Sequence, residues 1–324
     1  MNRSLPLAIL LAACAATPTE LRREPAADAA ARELQAKKED ERRRDFRAVL
    51  VRLDQAIDSY VQALANQGEF RADKQAERIY KLVHETVMDI GPYLATTNQV
   101  RPKPGETYAR LQGIAGDNSN RDQGIALTAL GFSGQPEAMP VILQGAQLAD
   151  PFLVDHAVLG LAVLRAPTTP PGVLAAIALK PDHPMDGRVQ AAWALYRIQG
   201  ACEDQSAIVA IWRRFLGEQK DQVPPGVLVS ALRGLGIARD PANGALVAGF
   251  LMNPTPRVRM AAALALGRMN AQAQWPQLLA LLSPAETVQN VRLHARKALA
   301  ELAGGVDHGY DVAAWRSTFD RGSR

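Results

Sequence analysis

A short phrase that recurs about six times between residues 121 and 302 limits the folds open to this chain. Its clearest copy, residues 257–267, reads RVRMAAALALG. In each copy a small residue follows an anchor by four positions, and an apolar residue comes four positions later. The copies are Asp122/Ala126/Leu130, Leu153/Ala157/Leu161, Arg188/Ala192/Tyr196, Val227/Ala231/Leu235, Val258/Ala262/Leu266 and Val291/Ala295/Leu299. Successive anchors are 31, 35, 39, 31 and 33 positions apart. This period predicts stacked units that bury their apolar faces against one another.

Each unit has the pattern of two helices joined by a turn, with Pro or Gly at the joints. Pro170-Pro171 marks the start of one second helix, and Pro256 lies in the first turn of a first helix. The sequence therefore predicts an all-α solenoid of about six helical hairpins over residues 121–324.

The fifth copy carries a resemblance to a known repeat family. Its pattern is Pro256, Val258-Arg259, Ala262 and Leu266-Gly267, followed by Leu278, Leu279 and Leu282. These residues resemble HEAT repeats in their short bacterial form, over about 200 of the 324 residues. The sixth copy has Ala300 where the Gly falls, and the third has Tyr196-Arg197 near the expected Leu-Gly.

The HEAT-like resemblance implies a superhelix whose second helices line a concave groove that grips peptides or protein surfaces. Trp and Arg are common at interface hot spots. We therefore predict partner contacts at Trp212, Arg213, Arg214, Trp275 and Gln277. The resemblance favours a scaffold, so we expect a protein that is not an enzyme and binds other proteins or peptides. Some HEAT-like proteins are bilin lyases, for which an exported protein is a poor setting.

The N-terminus has the pattern of an export signal. Arg3 precedes an apolar stretch, residues 5–13, which is too short to span a bilayer as a helix. The stretch ends in Leu11-Ala12-Ala13-Cys14, which resembles the lipobox of bacterial lipoproteins. An ordinary secreted protein is the alternative.

The lipobox resemblance implies cleavage before Cys14, diacylglycerol on its sulfur and acylation of the new N-terminus. Ala15 in place of Asp favours the outer membrane, facing the periplasm. We expect no transmembrane helix elsewhere. The other cysteine, Cys202, then has no partner for an internal disulfide.

We predict five segments along the chain. Residues 1–13 form the signal peptide, residues 14–45 a charged, partly helical tether, and residues 46–97 a helical hairpin. Residues 98–120 form a linker with a short helix, and residues 121–324 form the array. The hairpin follows from an apolar seam with steps of four and three: Phe46, Leu50, Leu53, Ile57, Tyr60 and Leu64. It either caps the first repeat or pairs with another chain.

Charge and motifs exclude several functions. A net charge of +4 without a basic stripe argues against nucleic acid as a partner. The loops around Asp182-His183 with Asp186, and around Asp307-His308 with Asp311, place His between two Asp residues. We interpret these carboxylates as helix caps and expect no metal or cofactor. Two alternatives remain: a metal-binding or catalytic protein that uses His183, Asp182 and Asp186, and a structural spacer that acts through the charged tether.

Overall fold

The computed structural model describes residues 26–65, 70–90, 103–117 and 120–322. The chain divides into two compact units, Met1–Arg47 and Ala48–Arg324. The described residues contain helices and no strands, so the predicted all-α fold class is confirmed. None of these helices combines the length and apolar content that a membrane span requires.

Helix α1, Ala26–Ala65, begins in the first unit and ends in the second. Residues 28–45 are exposed along their whole length, as expected for a helix rich in both charge signs. The helix covers residues 26–45 of the segment that the sequence predicted as a partly helical tether, and residues 14–25 of that segment lie outside the described residues. Helix α2, Phe70–Val87, and the short helix α3, Glu106–Ala115, follow.

Residues 120–322 form six helical pairs, in agreement with the six copies of the phrase. The pairs are α4 Asn120–Gly131 with α5 Met139–Gly145, α6 Pro151–Leu164 with α7 Pro171–Leu179, α8 Met185–Gln199 with α9 Ser206–Leu216, α10 Pro225–Ala238 with α11 Gly244–Ala248, α12 Pro256–Arg268 with α13 Trp275–Ala280, and α14 Gln289–Leu302 with α15 Val312–Gly322. The first helices pack side by side in chain order, from α4 to α14. From α5 to α13, each second helix packs against the first helix of the next pair.

Local chemistry explains where several helices begin. Proline occupies the first position of α6, α7, α10 and α12, where a missing N–H costs no helical hydrogen bond. Asp150 adds a side-chain cap to α6, because its carboxylate accepts a hydrogen bond of 3.0 Å from the Phe152 N–H.

The small residue of every copy lies inside the layer of first helices. All six of these alanines are fully buried: Ala126, Ala157, Ala192, Ala231, Ala262 and Ala295. The apolar residue four positions later is also fully buried in five of the six copies. The third copy differs, because Tyr196 is half-buried and Leu195 fills the core position instead.

Helices α4 and α6 approach so closely that only glycine fits between them. A methyl group on Gly131 would collide with the carbonyl of Gly160, and one on Gly160 would collide with the carbonyl of Leu127. Both obstacles are backbone atoms, which cannot rotate away as a side chain can. The Gly at the end of the repeated phrase is therefore a contact residue between neighbouring repeats.

Polar contacts join the hairpin to the first repeat within the second unit. Arg121 of α4 binds Asp54 of α1 at 2.8 Å, and His84 Nδ1 of α2 lies 2.8 Å from the Phe132 carbonyl. Asp89, in the turn after α2, accepts hydrogen bonds from the N–H and hydroxyl of Thr107, at 2.8 and 2.6 Å, which ties this turn to α3. These contacts place the hairpin on the first repeat; its capping role stays a prediction.

We expect Gly160→Ala to lower the free energy of unfolding by about 3 kcal/mol, because the new methyl group must push two helix backbones apart. Chemical denaturation of the purified chain measures this. Gly172→Ala is the matched control, since Gly172 is exposed and a methyl group there meets nothing within 4 Å. The control should change stability by no more than about 1 kcal/mol. Equal stability of the two variants would contradict the close approach of α4 and α6.

Candidate functional site

Trp212 lies in the core, although the sequence predicted it at a partner surface. It is fully buried, and its Nε1–H donates a hydrogen bond of 2.8 Å to Gln199 Oε1. Gln199 in turn donates to the carbonyl of Gly234 at 2.9 Å, so the indole helps to join the third repeat to the fourth. The ring offers no surface to a partner, and this part of the prediction is corrected. The physical reason is its place on the apolar side of α9, beside Ile208 and Phe215.

Arg213 and Arg214 have different roles despite being neighbours. Arg213 donates to Asn243 Oδ1 at 2.7 Å and to Asp240 Oδ2 at 2.9 Å, which links α9 to the start of the next second helix. Arg214 is exposed, and the structure gives its guanidinium no partner among the described residues. Arg214 is therefore the more available of the two for contact with another molecule.

Trp275 and Gln277 lie on α13, two repeats further along. Trp275 is half-buried and stacks on Phe319 of α15, with ring centroids 5.1 Å apart and planes 9° from parallel. Gln277 is exposed. The structure thus leaves Arg214, Gln277 and part of Trp275 accessible on the layer of second helices, and their contact with a partner stays a prediction.

Cys14 lies outside the described residues, so the structure says nothing of its lipidation. Cys202 is half-buried, and its Sγ lies 3.3 Å from the Ile198 carbonyl. Burial, followed by the nearby negative charge of Asp204, raises the pKa of the Cys202 thiol. It therefore stays protonated and weakly nucleophilic near neutral pH.

The loop around His183 does not bring its own carboxylates to the ring. His183 is buried, and its Nε2 forms a 2.8 Å hydrogen bond with Asp155 of α6, whereas Asp182 and Asp186 are exposed. A methyl group on Gly187 would collide with both members of this pair. The His183 ring is thus buried against α6 and the start of α8.

The two aspartates of the loop around His308 form an ion pair and a helix cap. Arg296 donates to both carboxylate oxygens of Asp307 over 2.7–3.0 Å, and the Gly309 N–H donates to Asp307 at 2.9 Å. Asp311 accepts from two backbone N–H groups in the first turn of α15. Across the described ranges, no three His, Cys, Asp or Glu side chains are grouped in a way that could hold a metal ion.

Four residues to which the sequence assigned no binding role line a cavity of about 480 Å³. They are Tyr60, Tyr80, Arg165 and Arg197. The sequence placed Tyr60 in the hairpin seam and Arg197 in the third copy of the phrase, and it gave no role to Tyr80 or Arg165. No local pattern could reveal them, because they come from four different helices or helix ends.

No protein-family model matches the chain, and no curated protein matches it. Among solved structures, it is similar to the complex of CpcE and CpcF of phycocyanin lyase from Nostoc sp. PCC7120. The two chains are 17% identical, the match covers 80% of this chain and 92% of that chain, and the TM-score is 0.38. A likeness at this level carries no argument about substrate or mechanism.

The comparison nevertheless contradicts the expectation that this chain is not an enzyme. The similar structure is a lyase by its name. The expectation is withdrawn.

The pair of Arg296 and Asp307 generates a prediction about pH. Hydrogen bonds from Arg296 and from the Gly309 N–H lower the pKa of Asp307 from 3.8 to about 2. Because the folded pKa lies below the unfolded one, the stabilisation is complete above about pH 3.8 and is lost as the pH falls through about 2. In Arg296→Gln we expect the pKa to rise toward 3.8, as measured by carboxyl NMR titration. Arg296→Lys, which keeps the charge, should give an intermediate value, and an unchanged pKa in Arg296→Gln would contradict the pairing.

Proposed function

We propose that this chain is a lipid-anchored protein of the bacterial cell envelope that holds other envelope proteins on its helical array. The observation that carries the proposal is that two polar side chains on second helices are exposed and form no contact within the fold. Arg214 and Gln277 are exposed on separate repeats, and the fold itself does not use either side chain. A row of repeats offers such groups at intervals, which suits an extended protein surface better than a small ligand.

The N-terminal segment supports the anchoring half of the proposal. Acylation of Cys14 supplies several acyl chains. Each buried methylene contributes about 0.8 kcal/mol to membrane binding, so two or more acyl chains hold a protein stably at a bilayer. The exposed charged helix over residues 28–45 then acts as a spacer. At 1.5 Å per residue it provides about 27 Å of reach. Placement in the outer membrane, facing the periplasm, belongs to this proposal.

Cys14→Ser tests the anchor. We expect the chain with its native Cys14 to partition into the detergent phase and to carry the mass of the acyl groups. Cys14→Ser should lack both properties. Phase partitioning and intact mass spectrometry measure the difference. Cys202→Ser is the matched control and should behave like the chain without substitutions. Absence of added lipid mass on the chain without substitutions would contradict the proposed lipid anchor.

Cross-linked pull-down of the acylated protein from its own envelope tests the binding role. The captured proteins are identified by mass spectrometry and compared with those of Arg214→Glu. We expect Arg214→Glu to lose the main partner by about tenfold, because a reversed charge at an interface is repelled. Arg233→Glu is the matched control, since Arg233 is an exposed arginine on a first helix. It should capture the partner normally.

A deletion of residues 20–45 separates the array from the spacer. If the partner still binds the deleted chain, the array carries recognition. If capture requires residues 20–45 and is indifferent to Arg214→Glu, the chain is a structural spacer that acts through its charged helix, and the proposed role of the array is wrong.

A further inference from the structure

Within residues 120–322, three first helices carry an arginine as their fourth residue: Arg188 on α8, Arg259 on α12 and Arg292 on α14. Arg188 donates a hydrogen bond of 2.6 Å to the carbonyl of Gln222, three residues before α10 begins. Arg259 holds both oxygens of Glu286, three residues before α14 begins, with hydrogen bonds of 2.8 and 2.9 Å. In these two helices, the arginine therefore links its own repeat to the loop before the next first helix.

Arg292 has the same place in the last repeat but lacks such a partner. No further first helix packs on α14 among the described residues. Arg292 is half-buried, and it forms no hydrogen bond or close ion pair within the part of the chain that the structure describes. Its Nε is buried without an acceptor, whereas its two terminal nitrogens are not buried. A cation that is partly removed from water without a carboxylate partner costs free energy, which a bound carboxylate would offset.

Glu286 is the nearest candidate for a partner within the chain, but it is already occupied. Burial raises the pKa of Glu286, while hydrogen bonds from Arg259 and the Val288 N–H, with the charges of Arg259 and Arg292, lower it overall. Arg292 thus acts on Glu286 through its charge alone, because Arg259 holds both carboxylate oxygens.

The face of α14 that carries Arg292 has the shape of a contact between repeats. Arg292, Arg296 and Ala300 follow one another at intervals of four residues and share this face. Ala300 corresponds to Gly267 in the fifth repeat, where a methyl group would come within 2.9 Å of the Ala298 backbone on α14. The same face thus receives the next first helix in the fifth repeat. In the sixth repeat it carries a small, half-buried residue at the point of closest approach.

The loop between α14 and α15 covers this face only in part. Arg296 donates to both oxygens of Asp307, so a carboxylate of the loop compensates its charge. The Tyr310 ring lies over both guanidinium groups, with its centroid 5.5 Å from Arg292 Cζ and 5.4 Å from Arg296 Cζ. Tyr310 is 43% exposed and Val306 is 50% exposed. The surface therefore combines an arginine that lacks a close carboxylate with accessible aromatic and aliphatic side chains, and Arg and aromatic residues are enriched at protein interfaces.

We propose that this face of α14 binds a helix of a partner protein that carries a carboxylate three residues before the helix begins. The carboxylate pairs with the terminal nitrogens of Arg292, and the helix lies beside α14 as α14 lies beside α12. This surface is additional to the one proposed above on α9, and its chemistry specifies an acidic group on the partner.

Calorimetric titration of the full chain with a synthetic peptide tests the proposal. The peptide copies residues 283–302, the segment that packs on α12 and Arg259 within the fold, and carries an N-terminal acetyl and a C-terminal amide. We expect saturable binding that Arg292→Gln weakens by about tenfold, because a charged hydrogen bond is lost. Arg257→Gln is the matched control, since Arg257 is an exposed arginine at the start of α12, and it should leave binding unchanged.

A second peptide with Glu286→Gln resolves whether the carboxylate is recognised. It should bind about tenfold more weakly to the chain without substitutions, and Arg292→Gln should cause no further loss, because the two groups act as a pair. The melting temperature of Arg292→Gln should not fall, which separates a lost contact from a lost fold. Arg214→Glu should bind the first peptide normally, so the surfaces on α9 and α14 are tested independently. Absence of binding, or equal weakening of both peptides by Arg292→Gln, would overturn the proposed contact.

Discussion

Close contact between the first helices is the constraint on which the rest of this structure depends. Six fully buried alanines allow neighbouring first helices to pack side by side, and Gly131 with Gly160 brings two backbones into direct contact. Larger side chains at these positions would separate the helices and expose the apolar residues that follow. The short second helices then pack in the grooves beside this layer, each against the first helix of the next pair.

The close packing of the first helices determines which polar side chains are available to bind other molecules. Where α8, α9 and α10 meet, a buried amide of Gln199 links the indole of Trp212 to the backbone of Gly234. Further along, Arg259 pairs with Glu286 at 2.8 Å across two repeats, with both side chains largely buried. Such links satisfy polar groups that the packed repeats remove from water. Only side chains outside them, such as Arg214, remain for other molecules.

The hairpin adds a second surface to the array. It reaches the first repeat through Asp54 and His84, and its α2 also faces the ends of α6 and α8 across a cavity. The array alone would present Arg165 and Arg197 to solvent. With the hairpin in place, these cations face a wall that carries the opposite charge.

The sequence by itself determined the architecture. A small residue four positions after each anchor predicts close helix contact, because residues four apart share a face of a helix, and six copies predict six pairs. Trp212 shows the limit of partner prediction: its neighbours Ile208 and Phe215 already marked an apolar face, but enrichment of Trp at interfaces favoured exposure. Only the tertiary structure decided that Tyr60, Arg165 and Arg197 line one cavity, since long-range packing brings together residues more than a hundred positions apart. Periodicity specifies how each helix packs on its neighbours, whereas the position of the hairpin on the array depends on side chains that follow no period.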